Sequence, residues 1–289
     1  MAQLDQPAEL DLTMVVPYFN PGDRLRPTVE ALLATLRATA LRFEIICVSD
    51  GSTDASAATL DGLAGDLVTN LQLEPNQGKG HALQVGLRQG RGRYLGFIDA
   101  DGDLPPDQLK RFTAVFSEAA PAHPAERRRS PQTPDFIIGT KTHPGAVVRS
   151  APLRRLASWT WQQLVATLFG LDVADTQVGL KLLHREMLHA TLPRCVEEGF
   201  AFDLELLVVA AHLGYRRQVE IPVVIRARRS STMSARAAVA MVSSAFRIWW
   251  RLHRTQRYGP SRARPAAAPQ RTATCETAHP ERSRGTHEY

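Results

Sequence analysis

A single α/β domain, built on a mostly parallel sheet with helices on both faces, is the fold class this sequence predicts. Short apolar, β-branched runs recur at residues 12–16, 43–48, 67–69, 94–98 and 136–138, and helical patterns near 24–39, 54–64, 79–90 and 105–117 separate them. A chain of 289 residues with 44% hydrophobic content can bury one large core, which suits one domain with appendages better than two full domains. Three of the runs end in loops of unusual composition, and in parallel sheets ligands bind beyond the carboxyl ends of the strands.

The first run leads into Pro17-Tyr18-Phe19-Asn20-Pro21-Gly22. The second ends at Ser49-Asp50-Gly51-Ser52-Thr53-Asp54, where Ser52 or Asp54 can cap the next helix. A capped turn accounts for that hexapeptide equally well, but a carboxylate at a strand end can accept the imide N–H of uracil or the N1–H and amino group of guanine, so Asp50 is a candidate base-reading residue. Asn76-Gln77-Gly78-Lys79-Gly80-His81-Ala82 opens the third helix. It lacks the Walker pattern, since Leu73 stands where the first Gly belongs and Gly80 replaces Ser/Thr; a plain turn explains it, as does a cation and two permissive glycines set for phosphate.

The run 94–98 ends at Asp99-Ala100-Asp101-Gly102-Asp103. An EF-hand loop needs Gly at position 104 and Glu at 110, and Leu104 and Lys110 stand there. Asp103 is best placed to cap the helix that begins near Pro105-Pro106-Asp107. That leaves Asp99 and Asp101, one residue apart at the end of a buried strand, as candidate ligands of a hard divalent cation against nucleotide phosphates. Residues 120–135 hold four prolines and no apolar period, the composition of a surface loop.

The net charge of +6 is concentrated at the end of the chain. Residues 226–289 carry thirteen arginines against three acidic residues, a local +10 that leaves −4 on residues 1–225. A nucleic-acid binder would put basic residues across its folded face, so no nucleic-acid partner is expected and an anionic headgroup surface fits better. Cys47, Cys195 and Cys275 are far apart and odd in number, which excludes a disulfide framework and offers no zinc spacing. No run of 18 apolar residues and no signal-peptide pattern at residues 1–7 are found, so a cytoplasmic protein without a transmembrane helix is expected.

Taken in order, Val16-Pro17-Tyr18-Phe19-Asn20, Ser49 to Asp54, Asn76 to Ala82, Asp99-Ala100-Asp101 and Asp175-Thr176-Gln177-Val178-Gly179-Leu180-Lys181 resemble the motifs of family 2 glycosyltransferases, in particular the polyprenyl-phosphate glucosyl- and mannosyltransferases, over roughly residues 10–258. The chain departs from that pattern at Pro21, where Glu is common, and at Ser49, where a second Asp is common; both bear on base recognition. The resemblance implies a GT-A, Rossmann-like fold and an inverting transferase. It puts the nucleotide-sugar across Pro17, Asn20, Asp50, Lys79 and Asp99, and Mg²⁺ or Mn²⁺ on Asp99 and Asp101. Asp101 and Asp175 are then the catalytic candidates, Asp175 as a positioning group, because an acceptor phosphate with a second pKa of about 6 needs little deprotonation. Arg149, Arg154, Arg155 and Lys181 are candidate holders of that phosphate, each arginine equally readable as part of a solvated helix face. The 175–181 motif resembles the glucosyl branch more than the mannosyl one, so UDP-glucose is preferred to GDP-mannose as donor. The stretch 199–207 resembles the family's segment after the acceptor motif. Within it Asp203 and Glu205 cannot share a helix face; Asp203 either points into the site or caps the helix.

Residues 234–257 are amphipathic. At 100° per residue Arg236, Ser243, Arg247, Arg251 and Arg254 gather on one side, with Val242, Phe246, Ile248, Trp249 and Trp250 among the apolar remainder. Tryptophans flanked by arginines suit a headgroup boundary, and residues 153–169, with Trp159 and Trp161, form a second candidate. The expected organisation is therefore a flexible start (1–10), a GT-A domain (11–230), an interfacial helix (231–258) and a disordered tail (259–289). The implied protein moves a hexose to a polyprenyl phosphate while lying on the inner face of a membrane. Rival readings keep the fold and change the acceptor to a glycan, protein or small molecule, or keep only nucleotide-sugar binding or a scaffold role.

Overall fold

The computed structural model describes residues 8–63, 65–118, 133–141, 147–148, 152–171, 176, 178–225, 235–255 and 257–259. The strands are β1 (Leu10–Tyr18), β2 (Phe43–Asp50), β3 (Val68–Leu73), β4 (Gly92–Ile98), β5 (Phe136–Thr140), β6 (Val147–Val148), β7 (Leu180–His184), β8 (Gln218–Pro222) and β9 (Val224–Ile225). Seven of them form one sheet in the order β3-β2-β1-β4-β7-β5-β8, and β6 pairs with β9 apart from it. Strands β1 to β4 are mutually parallel, so β1, β2 and β4 all end on one edge. β7 runs antiparallel between β4 and β5, pairing Ile98 with Leu180.

Period-two alternation divides the core. Leu12, Met14 and Val16 of β1 face α1 (Leu25–Arg37), while Val15 faces α2 (Lys79–Gln89). α1 buries Leu25, Val29, Leu32, Leu33 and Leu36, the stripe of a helix lying on a sheet. α3 (Leu109–Glu118) shares its face through Phe112 and Phe116. α4 (Pro152–Phe169), α5 (Arg185–Thr191), α6 (Phe202–His212) and α7 (Ala235–Arg254) complete the helices. α5 and α6 join α2 on the opposite face. α6 is buried from Phe202 to Ala210 without interruption, because its other side is covered: Leu204 and Val208 pack with Val165 of α4 and with Ala245 and Ile248 of α7. A helix apolar all round is the sequence mark of that central place.

Two expectations are corrected, and the arginine row of the last helix is only partly turned outward. The helix foreseen over 54–64 is only a 3₁₀ turn at Ala57–Leu60. The turn that leads into α3 starts at Pro105 without a side-chain cap from Asp103, whose N–H donates to Asp101 Oδ1 at 3.0 Å. The arginine row of α7 is divided: Ser243, Arg247 and Arg254 are exposed, while Arg251 is half-buried and, with Arg247, reaches back to protein. Arg251 Nη1 lies 2.6 Å from Glu197 Oε1 and Arg247 Nη2 lies 3.3 Å from Glu197 Oε2, because the buried Glu197 and Glu205 need counter-charges. The apolar residues that α7 turns outward are Val239, Val242, Phe246 (50% exposed) and Trp250 (56% exposed), and Trp159 on α4 is exposed as well. The loop expected at 120–135 and the tail at 259–289 lie almost wholly outside the described residues.

Candidate active site

Beyond the ends of β1, β2 and β3, three loops meet beside the end of β4. Asn20, at φ 47°, ties the first to the second: its Oδ1 accepts from the N–H of Thr53 (2.8 Å) and Asp54 (3.2 Å), and its own N–H donates to Ser52 Oγ at 3.1 Å. Asp54 closes the same junction by accepting from the Gly22 N–H at 3.0 Å. Its hydrogen bond from the Ser56 hydroxyl, with help from backbone N–H groups, keeps its carboxyl below the usual range. Pro17 sits buried in β1 opposite Val48.

Asp50 ties the second loop to the third. It is 3% exposed, and its two oxygens accept from the N–H groups of Gln77 (3.0 Å) and Gly78 (2.8 Å), while its carbonyl accepts from the Asn76 amide at 2.8 Å. The structure thus gives this carboxylate the task of fixing the turn that presents Lys79. Only glycines fit there. Gly78 has φ +112°, and a Cβ on it would lie 2.5 Å from the Glu198 carbonyl oxygen; one on Gly80 would lie 2.6 Å from Phe202 Cβ.

Lys79 reaches back over the end of β4, its Nζ 2.6 Å from Asp99 Oδ1. Burial works against its charge, but Asp99, Asp203 and Asp101 outweigh it and hold the ammonium above the ordinary lysine range. Asp99 continues the β4–β7 pairing, its N–H donating to the Gly179 carbonyl at 3.2 Å, and a Cβ on Gly179 would collide with Asp99 Oδ2. Glycine at 179 is therefore what allows the Asp99 carboxylate its place.

These residues fit a divalent cation. Carboxylate oxygens are hard donors, and a positive group already sits on one of them. Among the described residues no cluster of three or more His, Cys, Asp or Glu could hold a metal alone. One or two carboxylates completed by substrate phosphates is the usual arrangement for Mg²⁺.

Lys181 is displaced from its expected role. At 0% exposure on β7 its ammonium donates to the Val178 carbonyl at 2.6 Å and to Asp203 Oδ2 at 3.3 Å, with the Phe97 ring centroid 5.1 Å away. It is an internal counter-charge, which leaves it no surface to offer an acceptor phosphate. Asp203, in the first turn of α6, is turned toward Lys181 and caps nothing. Asp175 and Arg149 lie outside the described residues, as do the side chains of Arg154 and Arg155 on α4. Sequence reading missed the charged seam behind the site, in which Glu205 Oε2 accepts from the N–H groups of Val196 and Glu197, both at 2.7 Å, and Glu205 Oε1 from the Tyr258 hydroxyl at 2.7 Å. Two acidic residues inside an otherwise apolar helix were the available signal.

Comparison with known proteins agrees with this architecture. The family "Glycosyl transferase family 2" matches residues 13–188, more than half of the chain. A dolichyl-phosphate beta-glucosyltransferase of Trichomonas vaginalis is 29% identical over 231 residues, covering 74% of this chain and 63% of its own length. One from Drosophila melanogaster is 29% identical over 221 residues, covering 73% and 65%. The chain thus spans a little under two thirds of the length of these relatives. Among solved structures, glucosyl-3-phosphoglycerate synthase from Mycobacterium tuberculosis, in complex with Mn²⁺, UDP-glucose and phosphoglyceric acid, superposes with a TM-score of 0.61 at 16% identity, covering 84% of this chain and 80% of that one. It shares the GT-A, Rossmann-like fold.

Proposed function

Because the chain belongs to glycosyl transferase family 2, we propose that it transfers a hexose, glucose in preference to mannose, from a nucleotide-sugar to a polyprenyl phosphate, with inversion at the anomeric carbon. An acceptor phosphate oxygen bonds to that carbon while the bond from the carbon to the diphosphate breaks, and the electron pair leaves on the nucleoside diphosphate. The observation that carries this reading is the pair Asp99 and Asp101 leaving β4 at the sheet edge beside the Lys79 turn, with Asp99 already bearing a cation.

In this reading Pro17 and Asp50 lie on the base side, Asp50 also holding the Gln77–Gly78 turn, and Asn20 keeps the two base-side loops together. Lys79, Asp99 and Asp101 serve the diphosphate end. A Mg²⁺ or Mn²⁺ held by the two aspartates supplies neutralisation of the departing diphosphate. Asp175 orients the acceptor, and Arg149, Arg154 and Arg155 hold its phosphate. Incubation with labelled UDP-glucose or GDP-mannose, undecaprenyl or dolichyl phosphate and Mg²⁺ is expected to give a lipid-linked sugar with UDP-glucose the better donor; no such product with either donor sinks the proposal.

No helix among the described residues is long and apolar enough to cross a membrane. We place the enzyme on the cytoplasmic membrane face through the outer row of α7. Val239, Val242, Phe246 and Trp250 form one exposed apolar stripe, and the Arg254 guanidinium stands 5.7 Å over the Trp250 ring, where anionic headgroups would meet it. Burying an aromatic side chain is worth about 1.5–3 kcal/mol. Phe246→Ser with Trp250→Ser is therefore expected to lower binding to phosphatidylglycerol vesicles at least about tenfold in flotation, and unchanged flotation would refute this face.

A further inference from the structure

The segment between α5 and α6 joins two surfaces that the proposed reaction needs and that lie on different elements. Its main chain walls the first turn of α2: the Glu198 carbonyl accepts from the His81 N–H at 3.0 Å, the Glu197 carbonyl accepts from Gln84 Nε2 at 3.1 Å, and the clearance at Gly78 and Gly80 is set by residues 198–202. Its side chain at Glu197 goes the other way, to Arg247 and Arg251 of α7. Burial opposes the charge of Glu197, yet the two guanidiniums hold its carboxyl below the usual range. Glu205 then fixes the segment from behind, through the N–H groups of Val196 and Glu197 and the Tyr258 hydroxyl beyond α7.

The geometry points to Glu197 as a positioning residue: it couples the seating of α7 to the placement of the Lys79 turn, so that the helix with the exposed apolar stripe is part of the scaffold of the donor site. The residue has two ends in use, a carboxylate on α7 and a carbonyl on α2, and four residues of main chain separate Lys79 from Gln84, whose side-chain amide donates to that carbonyl. Packed elements joined by buried charged hydrogen bonds move together. A shift of α7 that drags Glu197 also shifts the wall against which Gly78 and Gly80 fit, and with it the Lys79 ammonium 2.6 Å from Asp99. The inference rests on the proposed nucleotide-binding reading.

Displacement of a fluorescent nucleotide in the presence of Mn²⁺ tests it on the full chain. Glu197→Gln keeps the shape and the carbonyl but removes the charge that holds α7. It is expected to weaken UDP roughly fivefold or more, and to leave uridine, which lacks the phosphates that Lys79 would meet, within twofold. A folded Glu197→Gln protein that binds UDP as the parent does, or that loses UDP and uridine equally, overturns the coupling. If that variant does not fold, Gln84→Met cuts the same link from the α2 side, with the same expectation and the same refutation. A parent protein that binds no UDP refutes the nucleotide reading itself, and the coupling with it.

Discussion

Asp99→Asn is expected to slow sugar transfer about a hundred- to a thousandfold while the protein stays folded, an effect of the size seen when one preorganised electrostatic group at a reaction centre is lost. Asparagine keeps the volume of the side chain, the N–H bond to Gly179 and the close fit against that glycine; only the charge goes. With it goes the attraction for a divalent cation and for the Lys79 ammonium. The check is the initial rate at saturating donor and Mg²⁺, paired with Mn²⁺ binding followed by electron paramagnetic resonance. A variant within tenfold of the parent rate, or one with undiminished Mn²⁺ binding in the presence of UDP, would remove Asp99 from the metal site.

Lys181→Met should cost about 3–5 kcal/mol of stability, because it strands a buried carboxylate. Lys181 is fully buried between Phe97 and Asp203, and Asp203 Oδ1 already has no hydrogen-bond partner among the described residues. Methionine fills the space along the stem but leaves the Asp203 charge without its counter-ion. Removing both, as Lys181→Met with Asp203→Leu, is expected to recover much of the loss, since paired burial of charge is not itself a large net gain. Denaturant unfolding of the three variants measures this. Additive losses in the double variant would mean that the two residues act separately, and a stable Lys181→Met protein would contradict the buried pairing.

Much of the sheet is legible in the sequence, since β1, β2, β4 and β5 are runs whose apolar character comes from burial on both faces. β7 was hidden, because its five residues include a lysine, and the lysine is buried only by virtue of an aspartate 22 positions later. A sequence window cannot see such a pair. The same limit applies to α7. Helical periodicity groups Arg247 with Arg251, but which side faces inward is decided by Glu197 and Glu205, some fifty residues earlier. At the site, Asp99 and Lys79 could be singled out by their place at the ends of elements. Asp50 could be singled out too, but not its use in tethering the Gln77–Gly78 turn, which depends on a loop 27 residues away.

The antiparallel course of β7 has a kinetic consequence. Every parallel strand hands its residues to the edge that carries Asp99 as the chain leaves the sheet, whereas β7 brings Gly179 there as the chain comes in, from about eighty positions beyond Asp99. Contacts of such large separation are the slow ones in folding, because a long loop must close before they are rewarded. A nascent domain that has paired β1 through β4 therefore presents the Asp99 carboxylate without the Gly179 main chain that packs against it, and gains that backing only when β7 slots in.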